Sequence, residues 1–223
     1  MKKYILCIDL DDTLYKELTY VESGFNHVAN FIESKTKASR NEIFKALMHD
    51  LYVNGRGENF NNILNIYNLN TKNNVNKCLQ IYRQHRPNIK LYSNVENFLK
   101  NFTERMYLIT DGNALVQRKK VDSLDINKYF QKIFYTRSYG IKSEKPSLNC
   151  FKKVADLEGT TLKHLCYIGD NPNKDFVGLK KHKGLTIQVG NKEYQSLDKS
   201  FHAEMKFDTF VNAVNYLKKN KII

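Results

Sequence analysis

Five short apolar runs alternate with amphipathic segments along the chain, and this alternation restricts the possible folds more than any other feature. The runs are YILCID, MYLIT, KIFYT, LCYIG and LTIQV. Apolar residues at helical spacing mark segment 147–157 and a C-terminal stretch that carries Phe207, Phe210, Val214 and Leu217. Because strands that alternate with helices are typical of a parallel sheet with crossover helices, we predict an α/β fold with a Rossmann-like parallel sheet.

A long interruption separates the first apolar run from the second. Residues 16–91 contain no convincing strand, but two of their segments have apolar residues at helical spacing: Val21, Phe25, Val28 and Ile32 in one, and Ile43, Leu47 and Leu51 in the other. The turn signals NGRGEN and HRPNI divide the stretch. We therefore predict an inserted α-helical domain at residues 16–91, and a sheet domain formed by residues 1–15 and 92–223.

The length of 223 residues allows one well-buried domain with an insertion. Hydrophobic residues make up 41% of the chain and charged residues 26%, which is typical of a folded globular protein. No apolar stretch approaches the ~20 residues of a membrane-spanning helix, and MKKYILCIDL meets its first acid too early for a secretory signal, so we expect a cytoplasmic protein without a membrane partner. The four cysteines form no CxxC pair and are expected to be reduced thiols.

The net charge of +13 is compatible with nucleic-acid binding, because clustered lysines and arginines bind phosphate backbones. The basic clusters at residues 118–120, 180–183 and 218–221 each lie beside apolar residues at helical spacing, so we interpret them as solvated helix faces. A nucleic-acid-binding module stays an alternative, which salt-sensitive binding to duplex DNA would support. The same positive field would steer a small anionic substrate toward the protein.

Polar residues follow three of the apolar runs: Asp9 and Asp11 after the first, Thr110 and Asp111 after the second, and Asp170 after the fourth. In an open parallel sheet, ligands bind beyond the carboxyl ends of the strands. Carboxylates that converge there repel each other unless a cation lies among them. Asp9, Asp11 and Asp170 therefore predict a divalent-cation site, and magnesium is the usual ion where phosphate is also bound.

An Asp after a strand most often caps a helix or closes a turn, and we interpret Asp12 and Asp111 in this way. That explanation does not extend to Asp9, Asp11 and Asp170, since no set of caps requires several acids at neighbouring strand ends. Two more groups point to a bound anion. The hydroxyl of Thr110 can hold an anionic oxygen, and Lys145 lies in the loop between the third and fourth apolar runs.

Four motifs occur in a fixed order along these strand ends. They are DLDDT at residues 9–13, the run YLIT that ends at Thr110, Lys145-Pro146, and GDNPNKD at residues 169–175. In this order they resemble the motifs of the haloacid dehalogenase superfamily of hydrolases, most of whose members are phosphatases. The resemblance covers both ends of the sheet domain. Asp12 departs from the pattern, because Gly is commoner at this position in the family.

The resemblance implies catalytic roles for the matching residues. Asp9 is similar to the nucleophile that attacks phosphorus and becomes an aspartyl phosphate. Asp11 is similar to the general acid that protonates the leaving oxygen and later, as a base, activates water. Thr110 and Lys145 would bind the transferred phosphoryl group, and the expected phosphate-binding set is Asp9, Thr110, Asp111 and Lys145.

The resemblance also implies a cofactor, Mg²⁺. Its expected ligands are Asp9, the backbone carbonyl of Asp11, and Asp170. Asp175 is expected to support the site by orienting Lys145 or a metal-bound water. The dehalogenase branch of the superfamily resembles this chain less, because its members lack the acid of the second position and need no metal.

The helical insert resembles the cap that closes over the site in members of the superfamily that act on small metabolites. Within it, Arg56 lies between two glycines in NGRGEN and is expected to contact the substrate. We therefore predict a magnesium-dependent phosphomonoesterase that hydrolyses a small phosphorylated metabolite, such as a sugar phosphate or a nucleoside monophosphate. A phosphomutase shares every core motif and stays an alternative, whereas the intact acid set disfavours a sensor without turnover.

Overall fold

The computed structural model describes residues 4–193 and 198–223. Within them, one sheet contains six strands: β1 (Ile5–Ile8), β2 (Met106–Thr110), β3 (Lys132–Tyr135), β4 (Leu165–Gly169), β5 (Leu185–Val189) and β6 (Met205–Phe207). Their order is β3-β2-β1-β4-β5-β6, and every neighbouring pair is parallel. The predicted α/β fold with a Rossmann-like parallel sheet is confirmed.

Helices occupy most of the segments between the strands. They are α1 (Glu17–Glu33), α2 (Arg40–Asn54), α3 (Asn59–Ile66), α4 (Lys72–Gln84), α5 (Val95–Asn101), α6 (Ala114–Ser123), α7 (Asn149–Leu157), α8 (Val177–Lys180) and α9 (Phe210–Lys219). Short 3₁₀ turns join several of them. None of the helices among the described residues has the length and apolar character needed to cross a membrane.

The strand β6 is absent from the prediction, and its position corrects the assignment of Phe207. This residue ends β6, although its spacing predicts that it shares a helix with Phe210. The helix α9 begins only at Phe210, because the Thr209 hydroxyl caps it by accepting from the backbone amide of Asn212 at 3.2 Å. β6 spans three residues, which is too short for a two-residue alternation to be recognised.

The chain divides into two compact units. The helical unit is Glu17–Ile89 and contains α1 to α4, whereas the sheet unit comprises the described residues of Met1–Lys16 and Lys90–Ile223. These limits lie within two residues of the domain limits predicted from the sequence. Residues 1–3 of the predicted sheet domain fall outside the described part of the chain.

The helical unit is built around the apolar faces that the sequence pattern predicts. Its core cluster includes Val21, Phe25, Val28 and Ile32 of α1 and Ile43 and Leu47 of α2. Helix α2 begins at a capping box, in which Ser39 and Glu42 each satisfy a backbone amide of the other. Gly24 lets α1 approach α4, since a Cβ at this position would lie 2.4 Å from the ring of Tyr82.

The central strands of the sheet unit are buried on both faces. β2, β4 and β5 are buried along their whole length, which explains why they appear as continuous apolar runs rather than alternating ones. Ile8 of β1 lies opposite Leu108 of β2 and Ile168 of β4. β4 thus ends one residue beyond the last pair with β1 and β2 ends two residues beyond it, so Asp9, Thr110 and Asp170 lie near one another along the carboxyl edge of the sheet.

Candidate active site

Acids that follow β1 and β4 meet at the carboxyl edge of the sheet. The backbone amide of Asp9 donates to the carbonyl of Ile168 at 2.9 Å, so the pairing of β1 with β4 continues to Asp9. Carboxylate oxygens of Asp9, Asp170 and Asp175 lie within 4.8 Å of one another, and all three residues are buried. Because like charges this close repel strongly in a buried site, the groups that neutralise them decide the chemistry of the site.

Lys145 supplies one of the neutralising charges. Its buried Nζ lies 2.7 Å from Asp9 Oδ1 and 2.9 Å from Asp175 Oδ1, and it donates to the hydroxyl of Tyr167 at 2.6 Å. Burial raises the pKa of Asp9 to about 8. The ammonium of Lys145 acts to lower this pKa, but it only partly offsets burial and the carboxylates of Asp175 and Asp170, which raise it. Burial acts to lower the pKa of Lys145, but Asp175 and Asp9 outweigh it and hold that pKa well above its ordinary value. Lys145 therefore stays a cation beside Asp9.

The three carboxylates also have the donor chemistry of a divalent-cation site. Hard cations such as Mg²⁺ prefer carboxylate oxygens as ligands. Burial and the neighbouring Asp175 raise the pKa of Asp170 to about 6, and the ammonium of Lys192 only partly offsets them. A bound divalent cation would relieve this excess of negative charge. The residues therefore fit the predicted ion, although the carboxylate beside Asp9 and Asp170 is that of Asp175 rather than that of Asp11.

The carboxylate of Asp11 is bonded to protein donors instead. Its Oδ1 accepts from the hydroxyl of Tyr15 at 2.5 Å and from Lys120 Nζ at 2.7 Å, and its Oδ2 accepts from Gln117 Nε2 at 2.8 Å. Burial alone would raise the pKa of Asp11, but Lys120 and the hydrogen bonds outweigh it and hold that pKa below its ordinary value. A metal contact of Asp11 would thus fall to its backbone carbonyl, as the resemblance implies.

Thr110 is buried at the end of β2 and is linked to Asp11 through one side chain. Gln117 Nε2 donates to Thr110 Oγ1 at 2.5 Å as well as to Asp11. The interpretation of residues 118–120 as a solvated helix face is wrong for Lys120, whose side chain is 3% exposed and forms an ion pair with Asp11. Helix α6 therefore turns a polar face toward the site.

Asp111 anchors the loop that carries Lys145. Its Oδ1 accepts from the hydroxyl of Thr136 at 2.9 Å and from the backbone amide of Lys145 at 3.2 Å, and Lys174 Nζ lies 3.0 Å from its Oδ2. Asn113, rather than Asp111, caps α6 by accepting from two backbone amides of its first turn. A direct contact of Asp111 with phosphate stays a prediction.

Two glycines permit the close packing of these loops. A Cβ at Gly178 would lie 2.2 Å from the carbonyl oxygen of Pro146, so a larger residue would push α8 away from the segment that follows Lys145. A Cβ at Gly169 would lie 2.5 Å from Asp175 Oδ2. Gly169 of the fourth motif and Gly178 of α8 thus allow the backbone to lie close to Asp175 and to Pro146, the residue after Lys145.

Asp12 occupies the turn that the sequence predicts. Its φ of 52° lies in the left-handed region, which accounts for the Gly that is commoner here in the family. Its carboxylate lies 3.2 Å from Lys192 Nζ, and Lys192 also contacts Asp170. Asp12 therefore places a second lysine beside the carboxylate cluster.

Arg56 lies within the helical unit, where its guanidinium donates to both carboxylate oxygens of Glu17 at 3.0 and 2.7 Å. Its side chain is 61% exposed. Arg56 also lines a cavity of about 220 Å³ together with Phe25, Phe60 and Tyr82. Its contact with substrate stays a prediction, and the ion pair gives it a structural role beside that one.

The motifs and geometry together point to one family. A family model of haloacid dehalogenase-like hydrolases matches residues 6–189. The chain belongs to this family. The match confirms the resemblance implied by the four motifs, and it confirms that the protein is an enzyme of this hydrolase type.

Two curated proteins are similar to this haloacid dehalogenase-like hydrolase over most of their length. The chain is 24% identical to the glyceraldehyde 3-phosphate phosphatase of Methanocaldococcus jannaschii, over 97% of each chain. It is also 24% identical to the glyceraldehyde 3-phosphate phosphatase of Methanopyrus kandleri, over 85% of each chain. Both relatives are phosphatases, which agrees with the predicted enzyme class.

A solved structure supports the fold assignment. The HAD-hydrolase YfnB of Bacillus subtilis, solved bound to magnesium, matches with a TM-score of 0.71 and 14% identity, over 97% of this chain and 99% of that one. At this level of identity the likeness shows the shared fold. It places the six-stranded parallel sheet among known haloacid dehalogenase-like structures.

Several residues of the site are absent from the sequence prediction. They are Tyr15, Gln117, Lys120, Tyr167 and Lys192, and each contacts a predicted site residue. Tyr15 and Tyr167 adjoin the first and fourth motifs, so their neighbourhood gives a weak signal. Gln117 and Lys120 are three residues apart on a helix that follows the second motif, which is a signal only once the helix is known to face β1.

Proposed function

We propose that the protein is a magnesium-dependent phosphomonoesterase that hydrolyses a small phosphorylated metabolite through an aspartyl phosphate on Asp9. The observation that carries this proposal is the position of the Asp9 carboxylate, 2.7 Å from the Lys145 ammonium and beside the carboxylates of Asp170 and Asp175. Phosphoryl transfer depends mainly on positioning and on neutralisation of charge. A nucleophile between a lysine and a carboxylate cluster that fits a divalent cation meets both needs.

The reaction divides into two displacements at phosphorus. In the first, a carboxylate oxygen of Asp9 attacks phosphorus, the ester bond to the leaving oxygen breaks, and Asp11 gives that oxygen a proton, which its carboxylate must first have taken up because its pKa lies below the ordinary value. In the second, Asp11 takes a proton from water, the water oxygen attacks phosphorus, and the bond to Asp9 breaks to release inorganic phosphate. Thr110 and Lys145 bind the phosphoryl oxygens throughout.

Asp9, Asp170 and the backbone carbonyl of Asp11 would hold Mg²⁺, with Asp175 as a supporting carboxylate. The ion would draw negative charge from the phosphoryl oxygens as the transition state forms. The carboxylate cluster supports this assignment through its donor chemistry and its raised pKa values at Asp9 and Asp170. The magnesium bound to YfnB, which shares the fold, is a further support.

We propose a sugar phosphate as the substrate class, with triose phosphates as the first candidates. The two curated relatives are named for glyceraldehyde 3-phosphate, and the chain covers nearly the whole of one of them. The helical unit would serve as the cap that selects the substrate. Arg56 supports this role, because it carries an exposed positive charge at the rim of an aromatic cavity within that unit.

The deciding experiment is a screen for the release of inorganic phosphate. The wild-type protein is incubated with triose phosphates, other sugar phosphates, nucleoside monophosphates and a nitrophenyl phosphate, each with Mg²⁺ and with excess chelator. We expect turnover with at least one sugar phosphate, dependence on Mg²⁺, and no turnover by a matched Asp9→Asn variant. Full activity in chelator would contradict the metal assignment, and activity of Asp9→Asn would contradict the nucleophile.

A further inference from the structure

Helix α6 presents two buried polar side chains to the site. Gln117 is 2% exposed and Lys120 is 3% exposed, and they lie one helical turn apart. Burial of an amide and an ammonium costs free energy unless their donors are satisfied. Both are satisfied by residues with proposed roles in the reaction, because Gln117 contacts Asp11 and Thr110, and Lys120 contacts Asp11.

The side-chain amide of Gln117 contacts both Asp11, the proposed proton-transfer group, and Thr110, a proposed phosphate-binding group. Its Nε2 lies 2.8 Å from Asp11 Oδ2 and 2.5 Å from Thr110 Oγ1. A hydroxyl that accepts a hydrogen bond keeps its own proton for donation elsewhere. Thr110 is thus left as a donor for a phosphoryl oxygen, with the direction of its O–H set by Gln117.

Lys120 completes the support of Asp11. Its Nζ lies 2.7 Å from Oδ1, which also accepts from Tyr15, while Gln117 donates to Oδ2. Donors on both oxygens fix the rotation of the carboxylate about its last torsion. A general acid or base works only within hydrogen-bond reach of the atom it serves, so this rotation matters to the rate.

We propose that Gln117 and Lys120 are positioning residues for the hydrolysis: both hold the carboxylate of Asp11 in place for proton transfer, and Gln117 also directs the hydroxyl of Thr110 toward the phosphoryl group. This inference rests on the proposed phosphatase function. In it, neither residue touches the substrate, and each acts through Asp11 or Thr110.

The first test compares leaving groups. Lys120→Met and Gln117→Leu remove the donors at similar volume, and Lys119→Met, on the partly exposed side of the same helix, is the matched control. With an alkyl phosphate, whose leaving oxygen needs a proton, we expect kcat of both variants to fall by roughly 10–10²-fold. With a nitrophenyl phosphate the loss should be much smaller, and the control should keep the wild-type rate with both substrates.

The second test separates the two positioning residues by inhibition with inorganic phosphate. Gln117→Leu should weaken the inhibition, because Thr110 loses the group that directs its hydroxyl. Lys120→Met should leave the inhibition constant close to that of the wild type, because Lys120 acts on Asp11. Lys120→Arg keeps a charged donor at this position and should recover most of the alkyl phosphatase rate.

Thermal unfolding of each variant identifies any that does not fold. If Lys120→Met is one of these, Lys120→Gln, which shortens the side chain and removes its charge, takes its place in the leaving-group test. Equal losses with alkyl and nitrophenyl phosphates in folded variants would overturn the role toward Asp11, and unchanged phosphate inhibition in Gln117→Leu would overturn the role toward Thr110. A wild-type protein that releases phosphate from no substrate would overturn the proposed function itself, which is a separate result.

Discussion

The two units of the molecule bury carboxylates in different surroundings. In the sheet unit, Asp9, Asp170 and Asp175 have oxygens within 4.8 Å of one another, and lysines from distant parts of the chain oppose their charge. In the helical unit, the buried Asp50 accepts hydrogen bonds from three side-chain amides, those of Asn54, Asn59 and Asn62, at 2.7, 2.6 and 2.9 Å.

The acid–base properties of the two groups differ accordingly. Burial raises the pKa of Asp9 and of Asp170, and their carboxylate neighbours raise it further. Burial also acts to raise the pKa of Asp50, but the three amides outweigh it and hold that pKa below its ordinary value. The ionised form of Asp50 thus stabilises the fold, whereas folding disfavours the ionised forms of Asp9 and Asp170.

The comparison shows that the partners of a buried carboxylate, rather than its burial, decide whether its pKa is raised or lowered. The amides around Asp50 tie the end of α2 to the start of α3 and fix the loop that carries Arg56, since Asn59 also donates to the carbonyl of Gly55 at 2.8 Å. The cluster around Asp9 instead concentrates acidic groups at the edge of the sheet, where we propose that a cation and a phosphoryl group bind.

Asp9→Asn should give the largest effect. We expect kcat to fall by at least about 10⁴-fold, because the amide oxygen cannot replace the carboxylate as nucleophile. The free energy of unfolding should not fall, since the substitution removes a carboxyl whose ionisation is disfavoured by burial and by Asp175 and Asp170, and Lys145 keeps Asp175 as a partner. Phosphate release and denaturant unfolding measure the two quantities. A large loss of stability would break the comparison, because it would make Asp9 a structural carboxylate like Asp50.

Asp11→Asn should give the second-largest loss of kcat. We expect a loss of about 10²–10⁴-fold in kcat for substrates with poor leaving groups, as is typical when a general acid is removed. The loss should shrink along a series of aryl phosphates as the leaving group improves, because a good leaving group needs no proton. A loss that is equal across the series would show that Asp11 does not transfer the proton.

Asp50→Asn should act on stability and leave the chemistry intact. The substituted amide can accept from fewer of the three asparagines, so we expect unfolding to become easier by about 1–3 kcal/mol at neutral pH. The kcat of the folded variant with a nitrophenyl phosphate should stay close to that of the wild type. A variant that loses kcat without losing stability would contradict the division between the two units.

The difference in the free energy of unfolding between the wild type and Asp50→Asn should change with pH in a defined direction. Because the pKa of Asp50 is lowered on folding, its stabilisation is present above the unfolded pKa of about 3.9 and is lost as pH falls through the lower folded value. The wild type and Asp50→Asn should therefore converge in stability in strong acid. Denaturant unfolding at neutral and acid pH tests this, and a gap that widens in acid would reverse the assignment.

Arg56→Ala should give the smallest change in stability. The pair with Glu17 is exposed on the arginine side, and such pairs contribute roughly 0–1 kcal/mol. If Arg56 contacts the remote part of the substrate, kcat/KM should fall more for the natural substrate than for a nitrophenyl phosphate, because the latter lacks that part. Glu17→Gln is the matched control, since it breaks the pair and keeps the arginine. Equal behaviour of the two variants would reduce Arg56 to its structural role.

The strand ends could be predicted from the sequence because a buried parallel strand is a continuous apolar run, and the polar residue expected at the site follows it directly. Asp9, Thr110 and Asp170 could be predicted in this way, and the loop lysine Lys145 could be predicted from the order of the motifs. The helical insert could be predicted from the spacing of its apolar residues. These features depend on local sequence and on one topology, in which the carboxyl ends of the strands share an edge.

The partners of these residues could not be predicted in the same way. Lys120 follows Arg118 and Lys119 in a basic run that has the pattern of a solvated face, and only the rotation of α6 about its axis buries it against Asp11. Lys192 contacts Asp170 from the segment beyond β5, which no motif marks. Such contacts are set by the packing of whole elements, which a single sequence does not specify residue by residue.

The central position of β1 has a consequence for the synthesis of the chain. Among the strands of the described sheet β1 is made first, yet Ile8 pairs with Leu108 and Ile168, so β1 lacks its neighbouring strands while the contiguous helical unit is synthesised and folds on local contacts. Asp9 meets Lys145 and Asp175 only after β4 and the loop beyond it have been made. The strand of the sheet that is made first thus acquires its site partners last, and until then Asp9 lacks the lysine and the carboxylate on which its proposed role as a nucleophile depends.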